Sequence, residues 1–357
     1  MKILGIETSC DETSAAVVEK FPDGNLKILS NIVASSSEMH AKTGGVIPEN
    51  AAREQIKSII PVIDEALSHS GASRSEAIES LDAIAVTVGP GLIGSLLVGV
   101  ETAKTLSRLW QKPIVPVNHL IGHVYANWLN QNSLPNPPAL ALVVSGGHTD
   151  LVLLTDASHE VRIKYIGGTR DDAAGEAFDK TARLLHLPYP GGPNISNEAQ
   201  KFIDKNPNAK LTLFPRPMIN GVNLDWSFSG LKTAVLREVQ KYKSPKTFNK
   251  EKLAAEIQEA IVDSLVTKSL NAMLKYHPKS FLLAGGVAAN LRLRTKFQAG
   301  ITQLRDSGKL PPIEFHVPEI GLCTDNAAPI AAAAFMTYKP TPWQTVSANP
   351  ELTILDK

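Results

Sequence analysis

The chain opens on a short apolar block, Ile3-Leu4-Gly5-Ile6, and after a polar stretch shows a second, Ala15-Ala16-Val17-Val18. Blocks of this length bounded by polar residues read as buried strands. Strands are therefore predicted over 2–8, 13–20 and 26–34, with Pro22-Asp23-Gly24 as the turn between the last two. A Ser- and Gly-rich loop (35–47) leads to Pro48, a residue suited to the first turn of the amphipathic helix predicted to about Ser70. Strand 81–88, helix 92–111 and strand 114–117 then alternate, which is the rhythm of an α/β layer. After Leu134-Pro135-Asn136-Pro137-Pro138 the opening pattern returns, with strands predicted near 139–145, 149–155 and 160–167. Leu140-Ala141-Leu142-Val143, a polar turn and Leu151-Val152-Leu153-Leu154 match the first two blocks in pattern though not in wording, the mark of an internal repeat. Helices over 173–187, 230–242, 249–276 and 288–306, a strand over 280–285 and an Ala-rich helix over 325–338 complete the prediction. The tail after Pro340 has weak periodicity and reads as a surface strap or a frayed end.

A length of 357 residues suggests two domains or lobes, and an apolar content of 43% is enough to fill their interiors. The net charge of +1 excludes a global basic field, so a nucleic-acid partner would need a local patch. Cys10 and Cys323 cannot build a disulfide framework, and the early acids Glu7, Asp11 and Glu12 argue against a secretory or transit peptide. With no apolar run of membrane-spanning length, the expected location is the cytoplasm, away from any membrane.

His119 and His123 in His-Leu-Ile-Gly-His stand four apart, a spacing that puts both imidazoles on one face of a helix. They could share a metal, zinc or Fe(II), or be one exposed and one hydrogen-bonded histidine. Leu120 stands where a zinc protease of the His-Glu-x-x-His type carries its general base, which disfavours a peptidase. A two-histidine site wants a carboxylate, and Asp325 is available, although at a helix start it also reads as a cap. In Val144-Ser145-Gly146-Gly147-His148-Thr149 the paired glycines suit both an anion-binding turn and a simple hairpin. Gly285-Gly286-Val287-Ala288-Ala289-Asn290 likewise suits a nucleotide at a helix N-terminus or a tight strand-to-helix turn. The first turn, Glu7-Thr8-Ser9-Cys10-Asp11-Glu12-Thr13, is dense in hydroxyls and carboxylates, which points to a site more than to a plain turn. Asp171 to Lys180 sets four acids ahead of one lysine at a helix start, where acids suit the helix dipole whatever the function.

Gly89-Pro90-Gly91-Leu92-Ile93-Gly94 fits the dinucleotide fingerprint, but strand 114–117 ends at Asn118 with no acid for a ribose. The glycines are better explained by close helix-to-strand packing. The basic run Lys232, Arg237, Lys241, Lys243, Lys246, Lys250 and Lys252 could be a phosphate-backbone patch, though a solvated helix face is the safer reading.

Together these motifs, with Tyr189-Pro190-Gly191-Gly192-Pro193 and Thr324-Asp325-Asn326, resemble the tRNA threonylcarbamoyltransferase family (TsaD), once misnamed O-sialoglycoprotein endopeptidase. The likeness runs to about Tyr338 and fits the bacterial branch. It implies a two-lobed α/β fold of the actin, sugar-kinase and Hsp70 type, with a ribonuclease-H-like domain in each lobe. The lobes are expected over 1–118 and 119–340, the latter with the metal and nucleotide site, followed by a tail over 341–357; the last helix is free to pack back on the first lobe. The resemblance implies one divalent metal per subunit on His119, His123 and Asp325, Fe(II) ahead of Zn(II). It further implies that Val144, Ser145, Gly146, Gly147, His148, Asp179, Gly192 and Asn290 bind threonylcarbamoyl-adenylate. The implied activity is transfer of threonylcarbamoyl to the exocyclic amine of the adenosine 3′ of the anticodon in tRNAs that read ANN codons. Implied partners are tRNA, a shorter TsaB-like paralogue and a small TsaE-like ATPase. Many relatives carry an aspartate where Ser196 stands. Asp11, Glu12 and His148 are candidates for taking the proton. Two rival readings are an ATP-dependent kinase or ATPase of the same fold and a non-catalytic scaffold paralogue, although a scaffold is expected to lack the metal ligands and the Gly285–Asn290 loop.

Overall fold

The computed structural model describes residues 1–36, 39–40, 44–71, 73–130, 133–157, 160–242 and 248–356. They form two compact units, Met1–Leu134 with Pro318–Lys357, and Pro135–Val317.

In the first unit, β1 (Lys2–Glu7) pairs antiparallel with β2 (Glu12–Lys20), and β2 with β3 (Leu26–Ser35). On the other side β1 runs parallel to β4 (Ala83–Gly89), and β4 to β5 (Ile114–Asn118), giving the order β3-β2-β1-β4-β5. One face of the sheet offers Leu4, Ile6, Ala15, Val17, Ile84 and Val86 to helices α1 (Pro48–Ser68) and α3 (Ile93–Trp110), whose Ile59, Ile63, Leu67, Val100 and Ala103 complete the core. Helix α2 (Arg74–Ser80) lies between them in sequence and opens on a Ser73/Glu76 capping box. The other face takes the Ala-rich helix α10 (Ala327–Met336). A Cβ on Gly5 would lie 2.4 Å from the Ala327 carbonyl oxygen, so the missing side chain lets that helix lie close to β1.

The second unit repeats the plan. Strands β6 (Ala139–Val144), β7 (Thr149–Ala157) and β8 (Glu160–Gly168) form the meander, and β9 (Ser280–Ala284) and β10 (Glu314–His316) add in parallel to give β10-β9-β6-β7-β8. Read from the meander side, both sheets have one topology, so the pattern repeat at residue 139 corresponds to a structural repeat. The helices of this unit are α5 (Ala174–Leu184), α6 (Gly191–Lys205), α7 (Ser229–Val239), α8 (Lys250–Tyr276) and α9 (Leu291–Asp306). Helix α8 packs against both α6 and α9 and buries residues on all its sides.

Three elements escape the sequence pattern. Helix α6 begins on Gly191-Gly192-Pro193, residues that read as a turn but are tolerated in a first helical turn. Helix α2 and strand β10, at seven and three residues, are too short to show a period.

The units divide at Leu134 and Pro318, where the sequence sets 118 and 340 with the last helix free to return to the first lobe. Helix α4 (His119–Tyr125) packs on α10, and Leu129 bridges to Leu26, which holds 119–134 to the first unit. The tail is a strap on the same unit: Thr341 N donates to Ile114 O at 2.8 Å, Asn349 N to Val88 O at 2.7 Å, and Val346 and Ile354 are buried.

Candidate functional site

Strand β5 ends at Asn118, whose Oδ1 accepts from Leu120 N at 3.0 Å and so starts helix α4. That helix presents His119 and His123 one turn apart, with ring centroids 4.5 Å apart and planes at 70°. Asp325 Oδ1 lies 3.6 Å from His119 Nε2 and 3.5 Å from His123 Nε2. The ligand atoms of the three residues all fall within 4.8 Å of one another. Tetrahedral bonds of about 2.0–2.1 Å put neighbouring ligand atoms about 3.3 Å apart, close to the two Asp325 separations, so the three residues could hold one metal ion. Asp325 does not cap α10: Ala327 N donates to Ser14 Oγ at 3.0 Å, and Asp325 turns to the histidines.

Glu7 orients this site. Its Oε2 accepts from His119 Nδ1 at 2.9 Å and from Thr87 Oγ1 at 2.7 Å, and its Oε1 accepts from Ser9 N at 2.5 Å. A carboxylate on Nδ1 fixes the ring orientation and turns Nε2 toward Asp325, the usual outer-shell arrangement at a metal. Burial opposes the Glu7 charge, but His119 and these hydrogen bonds hold its carboxyl at about 2. Burial likewise opposes a charge on His119, yet Glu7 and Asp325 push it up to about 9, while burial raises Asp325 to about 6 against the pull of His119. Glu7 was not among the residues singled out as ligands or their partners. An acid ending an otherwise apolar buried strand was the available signal.

The polar turn between β1 and β2 carries Asp11 and Glu12. Glu12 Oε1 accepts from Ser35 Oγ at 2.8 Å, whereas its buried Oε2 has no hydrogen-bond partner among the described residues. Burial pushes its carboxyl up to about 7, against the Ser35 bond and with help from the charges of Asp11 and Asp325.

In the second unit, Val144 ends β6 and the turn Ser145–His148 is closed by Ser145 N to His148 O at 2.9 Å and His148 N to Ser145 Oγ at 3.2 Å. Gly285, at φ +88°, backs onto this strand end: a Cβ there would lie 2.4 Å from Val144 O. Gly285→Ala should therefore destabilise the protein by about 2–4 kcal/mol, read as a fall in thermal or urea midpoint. Gly146, Gly147, Gly192 and Gly286 are different. None has a positive φ, and a Cβ on each would meet nothing within 4 Å. Neither packing nor backbone conformation requires glycine at these four positions, so what they supply is bare main chain open to approach.

Asp179 Oδ1 accepts from Gly191 N at 2.7 Å, and burial raises its carboxyl. Asn290 Nδ2 donates to Ser196 Oγ at 2.8 Å and to Gln258 Oε1 at 3.0 Å, and Ser196 Oγ donates to the same Gln258 oxygen at 2.9 Å. The buried Gln258 thus links the helix carrying Gly192 and Ser196 to the start of α9, a tie that sequence reading missed.

Other motifs resolve into structure. Asp171 accepts from Ser227 Oγ, Phe228 N and both Ser229 donors, which lower its pKa against burial and anchor the start of α7. Asp172 and Glu176 each pair with Lys180 at 2.7 Å. The fingerprint glycines serve close approach, though not of helix to strand: a Cβ on Gly89 would collide with the tail at Asn349, and on Gly91 with Ser9. Gly94 faces Ala52 of α1. In the basic run Lys241 pairs with Glu238 at 2.6 Å, and Lys243 and Lys246 lie outside the described residues.

Two ribonuclease-H-like sheets of one topology in a single chain define the actin, sugar-kinase and Hsp70 class of fold. A solved structure of full-length HypF, in a phosphate- and nucleotide-bound form, shares that fold: TM-score 0.55, 11% identity, over 96% of this chain and 47% of that one. Within the class, residues 27–332 match the family model for tRNA N6-adenosine threonylcarbamoyltransferase. The chain is 49% identical over 338 residues to the enzyme of that name from Dehalococcoides mccartyi (strain CBDB1), covering 95% of this chain and 94% of the relative. It is 45% identical over 363 residues to that from Geobacillus thermodenitrificans, covering 99% and 97%. The chain belongs to the tRNA N6-adenosine threonylcarbamoyltransferase family.

Proposed function

We infer that this chain transfers the threonylcarbamoyl group from threonylcarbamoyl-adenylate to the exocyclic amine of the adenosine 3′ of the anticodon in tRNAs that read ANN codons. The amine nitrogen attacks the carbamoyl carbonyl carbon, the bond from that carbon to the phosphate oxygen breaks, AMP leaves with the electron pair, and the amine gives up one proton. What carries the reading, beyond family membership, is the His119, His123 and Asp325 trio with Glu7 behind it. A divalent ion held there, Fe(II) ahead of Zn(II), would supply a Lewis acid that offsets negative charge as AMP departs.

The chain's own groups do the rest. Main-chain donors of Ser145 to His148, with Val144, Asp179, Gly192 and Asn290, hold the adenylate, and the four open glycines allow the close approach this needs. Glu12 takes the proton: burial raises its pKa to about 7, which suits a general base at neutral pH, and its Oε2 has no hydrogen-bond partner among the described residues. Holding a weakly nucleophilic aromatic amine in line supplies much of the rate. Gly147→Ala should leave the thermal midpoint unchanged and raise the KM for the adenylate about ten-fold, ~1.4 kcal/mol; an unchanged KM would remove this turn from the site.

Ile56 and Ile60 on α1 and Ile93 and Leu97 on α3 are exposed apolar residues on two packed helices, which supports docking of a TsaB-like paralogue, with a TsaE-like ATPase completing the assembly. Among the described residues no helix is long and apolar enough to cross a membrane, and a tRNA substrate puts the work in the cytoplasm. Nucleoside mass spectrometry of unmodified tRNA incubated with the protein, the adenylate and these partners tests the reading. Hydrolysis of ATP that needs no tRNA and survives His119→Ala would instead favour the kinase or ATPase alternative.

A further inference from the structure

The carbonyls of the polar turn all point into the protein. Leu92 N donates to Ser9 O at 2.8 Å, Ser95 Oγ to Cys10 O at 2.9 Å, and Ser36 Oγ to Asp11 O at 2.5 Å. One more side chain joins them. Gln55, on the inner face of α1 and 1% exposed, directs its Nε2 at Thr8 O, Cys10 O and Glu12 O at 3.3, 3.1 and 3.0 Å. Three carbonyl oxygens around one end of the amide fix which end is nitrogen. The other end, Oε1, is buried with no hydrogen-bond partner among the described residues.

That combination is poorly explained by stability. Two N–H groups are shared among three acceptors at 3.0–3.3 Å, so no single bond is made in full. What the side chain contributes is direction. A trans peptide points its N–H opposite its C=O, so clamping alternate carbonyls across Thr8 to Glu12 sets which way each peptide faces and where the Asp11 and Glu12 side chains leave the turn. We propose that Gln55 is a positioning residue for the transfer reaction, holding the turn that carries Asp11 and Glu12 in its working shape. The proposal rests on the reading of that turn as part of the transfer site.

The test uses full-length Gln55→Met, which keeps the shape and loses the donor, and Gln55→Glu, which puts an acceptor against the three carbonyls. Both are assayed with the partner proteins for kcat, for the KM values of adenylate and tRNA, and for thermal midpoint. Expected is a fall in kcat of about 10- to 100-fold, with both KM values within about two-fold and a midpoint close to the parent's. A folded Gln55→Met with parental kcat would overturn the proposal. So would failure of both variants to fold, since the side chain would then be serving stability. A parent that makes no product removes the transferase reading, and with it the proposal, before any variant is compared.

Discussion

His119→Ala, His123→Ala and Asp325→Ala should each lose bound divalent metal and lower transfer by more than about 100-fold, beyond the 10- to 100-fold typical of losing an outer-shell partner. Each change removes one of three donors whose atoms lie within 4.8 Å of one another and leaves the other two without a complete site. Folding should survive in His119→Ala, although Glu7 is then left buried at 1% exposure with Thr87 Oγ1 and Ser9 N as its remaining donors, so some loss of stability is expected as well. Elemental analysis of the purified variants reads the metal, and nucleoside mass spectrometry reads the product. A variant that keeps both its metal and its rate would detach the trio from the chemistry.

Glu12→Gln should lower kcat by about 100- to 10,000-fold and flatten the pH profile. In the parent, kcat should rise as pH passes through about 7 and level off above it, because the base works in its ionised form and burial holds its pKa at about 7. The stability effect has the opposite sign. The folded protein holds this proton more tightly than the unfolded chain, whose glutamate titrates near its ordinary 4.5. Ionising Glu12 between about pH 4.5 and 7 therefore costs stability, and the cost is fully present above about pH 7. Glu12→Gln should accordingly be as stable as the parent at pH 8, or more so, while being far less active. A parental pH profile in the variant would assign the proton to another group.

The sheets, their repeat and the histidine pair were legible in the sequence because each is a local signal: apolar blocks with polar turns, and two imidazoles four residues apart on one helix. Pairing Asp325 with them took the family resemblance, since nothing within a few residues of Asp325 separates a ligand from a helix cap. The supporting groups were not legible, because their roles exist only once distant segments meet. Glu7 reaches His119 across 112 positions, Gln55 reaches the turn across more than 40, and Gln258 reaches Ser196 across 62. A buried glutamine in a helical pattern looks like any other polar interruption until its neighbours are known. Glycines misled in both directions. Gly191 and Gly192 hid the start of α6, and the Gly89 to Gly94 motif, which imitates a dinucleotide loop, answers to the approach of Asn349, Ser9 and Ala52.

The most direct test of the transferase account follows AMP and modified nucleoside together in one reaction of protein, partner proteins, threonylcarbamoyl-adenylate and unmodified tRNA, with His119→Ala in parallel. AMP and threonylcarbamoyladenosine should form one for one in the parent, both should depend on tRNA, and both should be lost in the variant. AMP released without tRNA, or product formed undiminished by His119→Ala, would contradict the account.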